Sequence, residues 1–160
     1  YLSELQAALE SLHCNIAVVG PNSDPGSAYI DQSWRKWCPT RANYYPVMRP
    51  QDYWDMMAKA SVMVGNSSAA FIEAASFELP CVNIGTRQMG RFVPPNIINV
   101  GYSRDEIKAG IQKALTVVFA ASIKGMVNPL WQGGAAQKIV SVLRNVEISD
   151  KLLRKKFVNM

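Results

Sequence analysis

Short apolar segments bounded by turn-forming residues alternate with amphipathic segments along the chain. Leucines at positions 2, 5, 9 and 12 are spaced by three and four residues, which predicts an initial helix with one apolar face. Strands are predicted at residues 15–20, 41–46, 61–64, 80–84 and 97–100. Further helices are predicted at residues 27–37, 50–60, 69–77, 103–115, 137–143 and 149–157. This alternation predicts an α/β fold with an open parallel sheet and helices on both faces.

Local signals support two of these helices and leave two segments irregular. Pro50 suits the first position of a helix, where a backbone N–H has no partner. Ser103 followed by Glu106 is a capping-box pattern. Residues 85–95 and 123–134 fit neither periodicity. Long irregular segments of a compact α/β domain are either binding loops or mobile surface.

Composition favours one folded domain. Of 160 residues, 49% are hydrophobic and 18% are charged, which excludes global disorder. We expect a single domain over residues 1–160 that ends in a helical tail at 146–160. The chain opens on Tyr1 within a helical pattern and shows no signal-peptide features, so we expect a piece of a longer protein.

The net charge of +5 favours an anionic partner without identifying it. Basic residues are scattered up to the tail, where the cluster Lys151, Arg154, Lys155 and Lys156 is typical of a solvated helix face. We therefore expect no nucleic-acid partner. Apolar runs such as residues 115–123 are shorter than the roughly 20 residues that span a bilayer, so no membrane partner is expected.

The cysteine and histidine residues show no pattern of a metal, redox or catalytic site. The three cysteines, Cys14, Cys38 and Cys81, have no metal-ligand or redox spacing, so we expect reduced thiols, no disulfide, no metal, no cofactor and a cytoplasmic location. His13 is the sole histidine, which leaves no Cys/His or Ser/His catalytic set.

The segment that carries chemistry begins at Gly65, Asn66, Ser67 and Ser68, directly after a predicted strand and before a predicted helix. Ligands of open α/β sheets bind at the carboxyl ends of strands. The N–H groups at a helix start stabilise a phosphate, and glycine lets the backbone approach it. The carboxylate of Glu73 could accept both hydroxyls of a ribose. The competing interpretation is that Asn66 or Ser67 only caps the helix.

The order of residues 65–91 is specific. Gly-Asn-Ser-Ser is followed by a glutamate, Glu73, five residues after the second serine, then by Phe and Pro, and then by Asn-Ile-Gly-Thr-Arg-Gln-Met-Gly-Arg at 83–91. This order resembles the hydrolysing UDP-N-acetylglucosamine 2-epimerases. Residues 21–27, Pro-Asn-Ser-Asp-Pro-Gly-Ser, and the Asn-Pro pair at 128–129 resemble an earlier and a later motif of that family.

The resemblance implies a Rossmann-like three-layer domain, the second half of a GT-B-like two-domain architecture. It further implies that UDP or UDP-N-acetylglucosamine binds in the cleft between the halves. Carried over to this chain, Ser67 and Ser68 would bind the diphosphate, with Gly65 and Asn66 in the same turn. The remaining matched positions are Glu73 for the ribose, Asn22 near the nucleotide, Arg87 at the diphosphate and Arg91 as a second cation.

The family eliminates UDP from the sugar and then adds water, which releases N-acetylmannosamine. Its acid and base groups lie in the other domain, so we expect no catalytic residue in this chain and no activity in isolation. The amino-terminal domain of the same protein is then an expected partner, and a homo-oligomer is possible. Two alternatives stay open: a nucleotide-sugar binding module without epimerase activity, and the nucleotide-binding half of a GT-B glycosyltransferase.

Overall fold

The computed structural model describes residues 1–131 and 133–154, and the chain divides into two compact units, Tyr1–Pro129 and Leu130–Met160. The first unit contains α1 (Leu2–Glu10), β1 (Ala17–Val19), α2 (Ser27–Arg41), β2 (Asn43–Tyr45), α3 (Pro50–Lys59), β3 (Met63–Gly65), α4 (Ala69–Ile72), a 3₁₀ helix (Ala74–Phe77), β4 (Cys81–Ile84), β5 (Ile97–Val100), α5 (Arg104–Ala114) and α6 (Val117–Ile123). The second unit contains α7 (Ala135–Asn145) and α8 (Asp150–Leu153).

Every strand pair in the described residues is parallel, which confirms the predicted α/β fold class. The strands form two ladders, β1–β2 and β3–β4–β5. In the second ladder Val64 lies opposite Val82, and Val82 lies opposite Ile98. Parallel pairing places the carboxyl ends of all strands of a ladder at one edge. The loops that follow β3, β4 and β5 are therefore neighbours.

Side chains of β4 alternate between two apolar clusters, one on each face of the strand. Val82 and Ile84 pack in a cluster with α1, α2 and α5, whereas Cys81 packs in a cluster with α3, α4 and the 3₁₀ helix. Val18 of β1 belongs to the first cluster, so one core serves both ladders. Helices on both faces of the central strand make a three-layer domain, as expected.

Close packing of α5 on the sheet depends on a glycine. A Cβ at Gly110 would lie 2.7 Å from Val100 Cγ1 and 3.0 Å from Val82 Cγ1. Contacts this short require the helix or the strands to shift. Gly110 therefore lets α5 lie directly on β4 and β5. The predicted capping box at Ser103 and Glu106 is confirmed at the start of this helix.

Two elements of the first unit differ from the sequence-based prediction. Helix α6 was not predicted, and it begins where the Thr116 Oγ1 accepts a hydrogen bond of 3.1 Å from the Phe119 N–H. The helix predicted over 69–77 is interrupted at Glu73, which separates α4 from the 3₁₀ helix. Asn128 Nδ2 donates to the carbonyl oxygen of Ile72 at 2.8 Å, beside this interruption.

The two regular elements that the structure describes in the second unit are helices. Helix α7 is longer at both ends than the predicted 137–143, and α8 covers part of the predicted 149–157. Residues 155–157 of that prediction, which include Lys155 and Lys156 of the basic cluster, lie outside the described residues. The predicted domain bounds, including a tail at 146–160, remain a prediction. Within the described part of the chain, no helix is both long enough and apolar enough to cross a membrane.

Candidate functional site

The loops that follow β3 and β4 are joined by two hydrogen bonds to one carbonyl group. Arg87 Nη1 donates to the backbone oxygen of Asn66 at 3.1 Å, and Gln88 Nε2 donates to the same oxygen at 2.7 Å. Both acceptor and donors lie at the carboxyl edge of the parallel ladder, where the sequence analysis expected the ligand. The structure thus brings Asn66 and Arg87 together.

Arg87 also contacts the loop after β1. Its Nη2 lies 3.3 Å from Asp24 Oδ2, and both side chains are substantially exposed. Asp24 was not among the predicted site residues, although it belongs to the 21–27 turn that resembles a family motif. The guanidinium is consequently held between a carbonyl oxygen and a carboxylate.

Gln88 is a further residue that sequence reasoning assigned no role. It is only 4% exposed, although it lies in a turn between exposed neighbours, and its Oε1 has no hydrogen-bond partner in the described residues. The side chain fastens the β4 loop to the β3 loop through the carbonyl of Asn66. Its position beside Arg87 in the matched motif was the available signal.

The turn at 65–68 contains backbone N–H groups without an acceptor in the described residues. Gly65 has φ 148°, a conformation that favours glycine. In the described residues, the N–H groups of Asn66, Ser67 and Ser68 donate to no acceptor, whereas the Ala69 N–H donates to Ser67 Oγ at 3.3 Å. The N–H groups of α4 itself have acceptors within the turn and the helix. The free donors are therefore those of the three residues that directly precede α4, and they include Ser67 and Ser68.

Glu73 is oriented by a tryptophan of α3. Trp54 Nε1 donates to Glu73 Oε2 at 2.6 Å. The pKa of the adjacent Tyr53 is raised to about 12, first by burial and then by the negative charge of Glu73. No hydrogen bond in the described residues links the Glu73 carboxylate to Asn66 or Arg87. The residue expected to bind the ribose and the residues expected to bind the diphosphate are thus held by different elements.

The other predicted residues are exposed on neighbouring loops. Asn22 follows β1, two residues before Asp24, and Arg91 lies in the second of two consecutive turns after β4. Neither side chain has a hydrogen bond or ion pair with another described residue. The structure leaves both side chains accessible to solvent without joining them to the Asn66–Arg87 contact.

Two tyrosines border the same edge and carried no sequence signal. Tyr102, which follows β5, accepts a hydrogen bond of 3.1 Å from the Thr86 N–H. The pKa of Tyr102 is lowered, first by its hydrogen bond with the Thr86 hydroxyl and then by this N–H. Tyr1 Oη accepts from Asn66 Nδ2 at 3.0 Å, and the two tyrosine rings lie 5.8 Å apart. These contacts fix the side chain of Asn66 and the start of the β4 loop.

No group of three or more His, Cys, Asp and Glu side chains with metal-binding geometry occurs among the described residues. The polar groups at the carboxyl edge are mostly amide, hydroxyl and guanidinium donors. Such donors suit an anion with several oxygen atoms.

Comparison with known proteins gives a consistent result. A family model described as UDP-N-acetylglucosamine 2-epimerase matches residues 1–144. A UDP-N,N'-diacetylbacillosamine 2-epimerase (hydrolyzing) of Legionella pneumophila is 32% identical over 97% of this chain and 40% of its own length. A UDP-N-acetylglucosamine 2-epimerase of Neisseria meningitidis is 28% identical over 100% of this chain and 42% of its own length. A GDP/UDP-N,N'-diacetylbacillosamine 2-epimerase (hydrolyzing) of Campylobacter jejuni is 30% identical over 87% and 36%, respectively. The chain thus spans about two fifths of the length of these relatives.

Proposed function

The chain belongs to the UDP-N-acetylglucosamine 2-epimerase family, and from this premise we propose that it is the UDP-binding half of a sugar-nucleotide 2-epimerase. The observation that carries the proposal is the contact between the Asn66 carbonyl and the side chains of Arg87 and Gln88 at the carboxyl edge of the sheet. This contact links the guanidinium to the turn in which the N–H groups of Asn66, Ser67 and Ser68 have no acceptor in the described residues. That combination complements a diphosphate.

The diphosphate would lie against the 66–68 turn. Its oxygens would accept from the N–H groups of Asn66, Ser67 and Ser68 and from the serine hydroxyls. Arg87 would add a charge-assisted hydrogen bond, for which a planar guanidinium is well suited. Arg91, exposed on the next turn, would reach the same anion as a second cation.

The nucleoside would extend from this turn toward α3. In the proposal Glu73 accepts hydrogen bonds from the ribose hydroxyls, and Asn22 approaches the nucleotide from the loop after β1. A carboxylate has about four lone-pair sites, so Glu73 can bind a diol while it accepts from Trp54. The relatives are named for more than one amino sugar, so the sugar is specified here only as an N-acetylated amino sugar.

The proposed reaction eliminates UDP and then hydrates the resulting glycal. Elimination transfers a negative charge to the departing diphosphate, and fixed donors that meet this charge lower the barrier. The chain would supply these donors. The groups that move the C2 proton would come from the remainder of a longer protein, and we therefore propose that the chain alone does not turn over substrate.

Calorimetry with UDP tests the binding site. The 160-residue chain should bind UDP, and Ser68→Ala, Glu73→Ala and Arg87→Ala should each weaken binding by about 1.5–3 kcal/mol, the range for hydrogen bonds to charged groups. Arg49→Ala is the matched control, because Arg49 is an exposed arginine paired with Asp52. Unchanged affinity in all three site variants would refute the assignment.

Activity separates the epimerase from its alternatives. A longer protein that contains this chain should release UDP and a 2-epimerised amino sugar from UDP-N-acetylglucosamine. UDP binding without release would instead support a binding module. Release of UDP only when an acceptor is present would support a glycosyltransferase.

A further inference from the structure

The indole of Trp54 and the carboxylate of Glu73 form a short hydrogen bond between two elements. The distance from Trp54 Nε1 to Glu73 Oε2 is 2.6 Å, and the residues are separated by 19 positions in the chain. A hydrogen bond to an ionised acceptor is shorter and stronger than one between neutral groups. Trp54 is 42% exposed, so its N–H is not oriented by burial alone. The indole and the carboxylate therefore orient each other.

Glu73 is fixed at its backbone as well. Glu73 lies at the interruption between α4 and the 3₁₀ helix. Asn128 Nδ2 donates to the Ile72 oxygen and to Ser76 Oγ, at 2.8 Å each, and so pins the chain on both sides of Glu73. With the backbone held in this way, the freedom that remains lies in the side-chain torsions of Glu73, of which the terminal one is broad. The hydrogen bond from the Trp54 N–H restricts these torsions.

We propose that Trp54 is a positioning residue, whose indole N–H holds the Glu73 carboxylate in the orientation that receives a vicinal diol. The inference rests on the proposed function, in which Glu73 binds the ribose of UDP. A diol presents two hydroxyl groups in one fixed relation, so a carboxylate that is already oriented loses less rotational freedom on binding. Trp54 itself has a single donor and no acceptor, and it contributes through Glu73 only.

The test compares UDP with 2′,3′-dideoxy-UDP, which lacks the diol. Affinities of both ligands are measured by calorimetry for the unaltered chain, Trp54→Phe, Glu73→Gln and the double variant. Trp54→Phe keeps an aromatic ring and removes the N–H. We expect it to weaken UDP binding about three- to tenfold, the cost of ordering one side chain on binding, and to change dideoxy-UDP binding by less than twofold. In the Glu73→Gln background, Trp54→Phe should have a much smaller effect on UDP.

Trp37→Phe is a matched control, because Trp37 Nε1 donates to the Glu10 carboxylate at 2.8 Å and neither residue belongs to the proposed site. This variant should leave both affinities unchanged. Thermal unfolding verifies that each variant is folded. If Trp54→Phe is unstable, the comparison of the two ligands is made with Glu73→Gln alone. Glu73→Gln must then lose affinity for UDP and retain affinity for dideoxy-UDP. Equal losses for both ligands in Trp54→Phe would reduce Trp54 to a packing residue, and no loss for UDP would also overturn the inference. Failure of the unaltered chain to bind UDP would refute the proposed function itself.

Discussion

Replacing Asp24 with asparagine should strengthen UDP binding rather than weaken it. The Asp24 carboxylate lies 3.3 Å from Arg87 Nη2, in a position from which it competes with a phosphate for the same guanidinium. Asparagine keeps the shape of the side chain and removes its negative charge. The substitution therefore removes a competitor and a like-charge repulsion in one step.

The size of the effect follows from exposure. The side chains of Arg87 and Asp24 are 46% and 66% exposed, so solvent screens their attraction. Exposed ion pairs are worth about 0.2–1 kcal/mol. If UDP must displace this pair, its removal should raise the affinity by about 1.4- to fivefold, since RT is about 0.6 kcal/mol. Arg87→Ala should instead lower the affinity by at least about tenfold, from the larger loss of a charged donor.

Calorimetry at low and high salt is the appropriate assay. The gain from Asp24→Asn should be largest at low ionic strength and should shrink in 0.5 M salt, because screening weakens both the competition and the repulsion. Asp52→Asn serves as the control, since Asp52 forms a comparable exposed pair with Arg49. A tenfold loss of affinity in Asp24→Asn would refute the reasoning and would show that Asp24 orients Arg87 for the ligand.

Two further outcomes concern the chain without ligand. At pH 8 a thiol reagent should modify one cysteine of the native chain and all three after denaturation. Cys14 is exposed, whereas burial raises the pKa of Cys38 and raises that of Cys81 to about 12. Rapid modification of two thiols in the native chain would contradict this expectation. Thr116→Ala removes the acceptor that begins α6 and should destabilise the chain by about 1 kcal/mol in urea unfolding. Thr116→Ser should restore most of the loss, and failure of the serine to do so would indicate that the methyl group, not the cap, is responsible.

Periodicity predicted the strands well because each apolar segment is short and bounded by turn formers. β5 was predicted with its observed bounds, and β4 within one residue. α6 was missed because residues 115–123 present a nearly continuous apolar run, which has no clear helical period. The interruption at Glu73 has no local signal. It coincides with contacts from Asn128, more than 50 residues later in the chain.

The candidate site was predictable where topology alone positions residues. Parallel strands bring their carboxyl ends to one edge, so the proximity of Asn66 and Arg87 follows from the order of β3 and β4. Partners of side chains do not follow from topology. Asp24 reaches Arg87 across 63 positions and Trp54 reaches Glu73 from another helix, and neither spacing corresponds to a helical or strand period.

These unpredicted partners clarify what the motif residues require. In the proposed site, Arg87 and Glu73 are charged side chains directed at different parts of one ligand, and each is held by a polar group of the chain itself. The two contacts act in opposite ways on the proposed site. In the proposal Asp24 would compete with the anion for Arg87 and would oppose binding, whereas Trp54 donates to a carboxylate that keeps free lone pairs and would favour binding. A contact that orients a binding side chain therefore helps the site only if it leaves free the place that the ligand would occupy.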